Sequence, residues 1–127
     1  MLSARSVLSP PPPPVPQCLR ELLREFPECI DRLQESLNTY AEDPSSASGP
    51  VRFRFERAMH ALQCTLAVLA KETSEELDAA RAAGDQRMID RAVRKNNPLS
   101  IAGWFVFEKL NMEDIWHYLE ARESAIK

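Results

Sequence analysis

The feature of this sequence that most restricts its fold is an apolar heptad repeat in the first third of the chain. Seven apolar residues follow one another at alternating spacings of four and three: Leu19, Leu23, Phe26, Ile30, Leu33, Leu37 and Tyr40. Only an α-helix places residues at these spacings on one side, and a stripe this regular is buried by packing against other helices. We call these seven residues the seam, and they predict a protein made of packed helices.

Composition and length agree with an all-α fold in one domain. Only three glycines occur in 127 residues, which disfavours a β fold rich in turns. We predict a single helical domain over residues 17–127, preceded by a flexible Pro-rich tail over residues 1–16. The prolines between Pro10 and Pro16 suit either a stiff spacer or a ligand of a proline-recognition groove, and the lack of an adjacent basic residue favours the spacer.

The first two predicted helices form a long antiparallel hairpin on which the bundle is built. The first runs from about Gln17 to Ala41, and because the seam keeps its phase across Pro27, this proline either kinks the helix or breaks it for a single turn. The second begins near Pro50 or Val51 and reaches Ala83, with a break near Ser74 as an alternative.

Three shorter helices are predicted to complete the bundle. Gly84 is expected to end the second helix and Asp85 to cap the third, which covers about residues 86–95. Asn97 and Pro98 predict the N-cap and first residue of a fourth helix that continues to residue 110. Asn111 is expected to cap the fifth, which ends near residue 122.

Several classes of protein are disfavoured by what the sequence contains. The net charge is −3, so no overall basic field favours nucleic acid or a membrane, and the apolar stretches are too short to span a bilayer. The three cysteines lack C-x-x-C spacing, which favours a reducing compartment and a cytoplasmic location. The Ser-rich start resembles a mitochondrial transit peptide only weakly, because it contains a single arginine.

Catalytic and metal-binding chemistry also find little support, and we expect no enzyme activity, no cofactor and no metal. Gly-rich phosphate loops, nucleophile elbows and zinc motifs do not occur. Cys18 and Cys29 flank the seam and Cys64 lies in an apolar run, and all three are expected to be small buried thiols. Glu56 with His60 and Glu113 with His117 have helical i to i+4 spacing, but these two histidines are the only ones in the chain.

The first candidate site is a basic stripe on the third predicted helix. It consists of side chains at i, i+4, i+7 and i+8: Arg87, Arg91, Arg94 and Lys95. Residues 81–97 contain five basic and two acidic residues, so the stripe could bind phosphate or an acidic protein. The alternative is a solvated face that pairs with the first fifty residues, which carry seven acidic and four basic groups.

The second candidate site is the aromatic C-terminal segment. Trp104, Phe105 and Phe107 cannot all face inward on one helix, so one or two of them are expected to be exposed or buried against another chain. Trp104, Phe107 and Trp116 are therefore candidate anchors for a protein partner. The alternative is a helix sunk in the core, with Gly103 allowing close approach.

Together these residues predict a non-enzymatic protein-interaction module of the adaptor, inhibitor, chaperone or immunity type. Its expected partner is an acidic, partly hydrophobic protein, and pairing with a second copy through the seam is an alternative. A nucleic-acid or phosphate-binding protein that uses the basic stripe is the alternative function. Nucleic acid is the weaker version, because residues 86–95 contain no aromatic side chain to stack on a base.

Overall fold

Five α-helices make up most of this protein in a computed structural model that describes residues 12–43 and 49–126. They are α1 (Gln17–Leu22), α2 (Pro27–Glu42), α3 (Val51–Ala83), α4 (Gln86–Phe107) and α5 (Glu113–Ile126). No strand occurs in the described residues, so the predicted all-α class is confirmed. The structure does not describe residues 1–11 or most of the predicted loop after α2. The Ser-rich start, which weakly resembles a transit peptide, falls within residues 1–11.

The first predicted helix is divided at Pro27, so a break forms instead of a kink. α1 ends at Leu22, and a turn closed by the Phe26 N–H, which donates to the carbonyl of Leu23 (2.8 Å), leads into α2. Pro27 is the first residue of α2, where its missing N–H would have no helical partner anyway. The seam nevertheless stays on one side of both helices: Leu19, Leu23, Phe26, Leu33 and Leu37 are buried, and Ile30 and Tyr40 are half-buried.

The third helix is continuous over 33 residues, and the alternative of a break near Ser74 is wrong. The hydroxyl of Thr73 donates to the carbonyl of Leu69 (2.8 Å) within the helix instead of capping a new one. The predicted end is confirmed, because Gly84 adopts a left-handed conformation with φ of 68°. Asp85 then caps α4 by accepting a hydrogen bond from the backbone N–H of Met88 (3.2 Å).

The two helices predicted over residues 86–110 are one helix, α4, with Pro98 in its interior. Pro98 cannot donate to the carbonyl of Arg94, and this normally favours a break. The inner side of α4 is buried both before and after the proline, and this burial favours a continuous helix; its members are Ala92, Lys95, Leu99, Ala102 and Val106. The prediction that Asn97 and Pro98 begin a helix is therefore wrong.

The last helix, α5, begins at Glu113, so Asn111 does not cap it as predicted. Asn111 instead has a left-handed φ of 57° in the connection after α4. Two helices, not three, therefore follow α3 among the described residues.

Helix α3 is central to the packing, because it contacts α2, α4 and α5, most extensively α4. Polar contacts fix the chain directions. Glu76 of α3 forms an ion pair with Lys95 of α4 (3.5 Å). Glu56, earlier in α3, forms one with Lys109, just after the end of α4 (3.3 Å), so α4 runs antiparallel to α3. The apolar side of α3 packs into the same core as the seam and contributes six residues, namely Phe55, Ala58, Met59, Leu62, Leu66 and Leu69.

Residues 12–16, which the sequence assigns to a flexible tail, pack against α2 where the structure describes them. Pro13, Val15 and Pro16 are buried. The side chain of Gln34 holds the segment, because it accepts from the N–H of Val15 (3.1 Å) and donates to the carbonyl of Pro13 (3.0 Å). The C-terminal end of the Pro-rich tract therefore contributes to the core.

The continuity of α4 gives a testable prediction. Replacing Pro98 with alanine restores the missing donor to the Arg94 carbonyl, so P98A should raise the free energy of unfolding by roughly 1–3 kcal/mol. Pro27→Ala is the matched control, because a proline at the first helical position blocks no hydrogen bond and its loss should change stability by less than about 1 kcal/mol. Urea denaturation measures both, and destabilisation by P98A would contradict a continuous α4.

Candidate functional site

The side of α4 that faces away from α3 exposes large apolar residues. We call this side the outer face of α4. Val93 is 50% exposed, Ile101 36%, Trp104 55% and Phe107 64%. Single exposed apolar residues are ordinary on a protein surface, but several on one helix face are typical of a surface that binds something.

Two of the four predicted basic site residues are engaged inside the chain. The Arg91 guanidinium forms an ion pair with Glu28 of α2 (2.8 Å) and lies 5.5 Å from the centroid of the Phe26 ring. Lys95 is only 5% exposed, and its ammonium lies 3.5 Å from Glu76 of α3 and 3.7 Å from Glu28. Arg91 and Lys95 therefore join α2, α3 and α4. Glu28 belongs to the first fifty residues, with which the alternative pairs the stripe, whereas Glu76 lies outside them.

The other two basic site residues, Arg87 and Arg94, are exposed at one flank of the outer face. Neither forms an ion pair with any residue that the structure describes. Arg87, Arg94 and Ile101 follow one another at intervals of seven, so they lie nearly in line along α4. The basic stripe thus contributes two exposed positive charges beside the exposed apolar residues.

The predicted aromatic site residues are also divided between surface and core. The prediction that Trp104, Phe105 and Phe107 cannot share one side is confirmed, since Phe105 packs against the core while the other two are exposed. Trp116 is half-buried, and its ring meets that of Phe55 edge to face with 5.2 Å between centroids. Trp116 therefore packs α5 against α3.

A shallow groove between α3 and α4 adjoins the outer face. Its volume is about 360 Å³, Leu66 and Leu99 lie along it, and Phe107 lines one side. The groove is open at Gly103, because a Cβ atom built there would meet nothing within 4 Å. This groove was not predicted from the sequence, because it depends on the pairing of two helices. The signal for it was the small residues on the two helices, namely Ala67, Ala70, Ser100 and Gly103.

A second, more polar groove of about 650 Å³ lies between α2 and α3. Cys64 lines it and is exposed, so the expectation of a buried thiol is wrong. Its sulfur lies 3.5 Å from Nε2 of His60, one helical turn earlier. By contrast Cys29 is buried, and burial raises the pKa of its thiol.

The groove between α2 and α3 does not assemble a metal site. Glu56, which has helical spacing to His60, is ion-paired with Lys109 (3.3 Å). Among the side chains described, those of residues 12–43 and 49–122, no three potential ligands among His, Cys, Asp and Glu come together. Within the same part of the chain, no helix combines the length and apolar character needed to cross a membrane.

Comparisons with known proteins give no relative for this arrangement. No protein family model matches the chain, and neither a curated protein nor a solved structure is detectably similar to it.

The contacts of Glu28 predict how stability depends on pH. Partial burial raises the pKa of this carboxyl, but its backbone hydrogen bond and the charges of Arg91 and Lys95 outweigh that effect and lower the pKa below the ordinary 4.5. A carboxyl with a lowered pKa in the folded state stabilises the fold above 4.5, and this contribution is lost as pH falls through the folded-state pKa.

Thermal unfolding followed from neutral pH down to about pH 3 should therefore show a smaller acid-induced fall in Tm for Glu28→Gln than for the unmodified chain. Glu25→Gln is the matched control, because Glu25 is exposed and makes no ion pair with the described residues. An equal fall in Tm in all three proteins would show that the ion pairs of Glu28 do not stabilise the packing of α2 against α4.

Proposed function

We propose that this chain is a non-enzymatic protein-interaction module that binds its partner through the outer face of α4. The observation that carries the proposal is the exposure of Val93, Ile101, Trp104 and Phe107 on one helix. Their burial by a partner would remove apolar surface from water, which favours association. Tryptophan is also among the residues that contribute most to binding energy at protein interfaces.

The charges beside these residues support an acidic partner. Arg87 and Arg94 are exposed, while the ion pairs of Arg91 and Lys95 already satisfy those two side chains. Complementary charges at the rim of an interface guide encounter and set orientation. We therefore infer an acidic, partly hydrophobic protein partner in the cytoplasm, of the kind met by adaptors, inhibitors, chaperones or immunity proteins.

The other expected uses of these residues receive less support. A phosphate backbone would meet only Arg87 and Arg94 of the predicted basic stripe, and the chain as a whole is acidic. Pairing with a second copy through the seam would need surface that α1 and α2 already bury within the chain. The exposed aromatic residues favour a protein ligand over both.

The proposal is tested by affinity capture with the tagged full chain from its native source, followed by mass spectrometry. Trp104→Ala should remove the captured partner with little change in Tm, because the side chain is 55% exposed. Val68→Ala is the matched control, since Val68 is 46% exposed but belongs to α3 and the polar groove.

Charge reversal tests the same surface independently. Arg87→Glu combined with Arg94→Glu should weaken capture, whereas Arg24→Glu combined with Lys71→Glu changes the same number of exposed charges elsewhere and should not. If the set of captured proteins is the same for Trp104→Ala, for the double reversal and for the unmodified chain, the outer face of α4 is not the binding surface.

A further inference from the structure

We infer that the partner contributes an amphipathic α-helix that lies along the outer face of α4, with a large apolar side chain in the groove between α3 and α4 and with acidic residues on the opposite flank. This inference rests on the proposed function, because it assumes that the outer face binds protein. It adds the shape and the charge pattern of the ligand.

The groove and the two exposed arginines, which a partner helix would contact, lie on opposite flanks of the outer face of α4. At 100° per residue, Trp104 lies near the middle of the outer face, with Phe107 on one flank and Arg94 on the other. The axes of packed helices lie about 8–10 Å apart, so a helix placed along the outer face would contact side chains from both flanks of α4. One helix can therefore reach the groove and the arginines together.

The groove flank suits an apolar side chain. None of the residues that line the groove is charged, and Gln63 and Ser100 are its polar members. Its volume of about 360 Å³ lies at the low end of the roughly 300–1,000 Å³ typical of small-molecule sites, and it is open along the surface. A side chain presented by a protein fits such a shallow groove better than a separate small molecule, which needs more enclosure.

The opposite flank suits carboxylates. Arg87 and Arg94 lie two turns apart and are exposed, so acidic residues seven apart on the partner helix would face them. Asp90, which lies between them in sequence, accepts a hydrogen bond from Gln86 (2.8 Å) on its own helix. Because Arg87 and Arg94 both lie on the flank away from the groove, acidic partner residues are favoured on that flank only.

Two synthetic peptides test this inference on the full chain. Both are helices of about three heptads with the same leucine and phenylalanine face; one carries glutamates on one flank and the other carries lysines there. Each is titrated into isotope-labelled protein while the Trp104 indole and Gly103 amide signals are followed by NMR. The glutamate peptide should shift both signals and bind at least about ten-fold more tightly than the lysine peptide at low salt.

Substitutions in the chain then separate the two flanks. Gly103→Leu should fill the groove and weaken the glutamate peptide about ten-fold or more. Gly103→Ala is the matched control, because its added methyl group meets nothing within 4 Å and alanine favours a helix. Arg87→Glu combined with Arg94→Glu should reverse the preference in favour of the lysine peptide.

Equal binding of the two peptides, or no shift at Trp104 and Gly103 with either, would overturn the inference. Signals that move on dilution without any peptide would show that a second copy occupies the face, and would overturn it as well. If Trp104→Ala abolishes capture while both peptides fail to bind, the proposed function stands and only the helical ligand is wrong. If Trp104→Ala leaves capture unchanged, the proposed function itself fails.

Discussion

The structure depends on the burial of the seam, in which α2 packs against α3 and α1 packs against α4. Leu19, Leu33 and Leu37 have no exposed surface, and neither has Leu62 of α3 in the same core. Fully burying such side chains stabilises the fold by roughly 1.5–3 kcal/mol each relative to leaving them exposed. Helices α2, α4 and α5 all pack against α3, and this arrangement leaves the outer face of α4 without a partner among the described residues.

Ion pairing within the chain determines which positive charges of α4 remain exposed on its outer face. Lys95 is almost fully buried between α2, α3 and α4, and a buried ammonium needs nearby carboxylates, which Glu28 and Glu76 supply. Arg91, one turn earlier, shares Glu28. These ion pairs involve the two cations nearest the core, whereas Arg87 and Arg94 stay exposed beside the apolar residues of the outer face. The packing that stabilises the bundle therefore also creates the candidate interface.

Periodicity and caps were readable from the sequence because they depend on neighbours along one helix. The seam predicted helices, and Gly84 with Asp85 predicted where one ends and the next begins. Pro98 was misinterpreted because local preference favours a break, whereas burial of α4 against α3 on both sides of the proline overrides it. The exposure of Cys64 and the groove at Gly103 likewise depend on which helix faces which, and periodicity alone does not specify that.

The seam is buried within a single chain, without a second copy of the protein. Leu33→Ala, unfolded by heat over a wide range of protein concentration, tests it most directly. Because Leu33 has no exposed surface, the substitution should lower the free energy of unfolding by roughly 2–5 kcal/mol, with a Tm that does not depend on concentration. A Tm that rises with concentration in the unmodified chain and loses that dependence in Leu33→Ala would show that the seam pairs two copies, and would contradict this account.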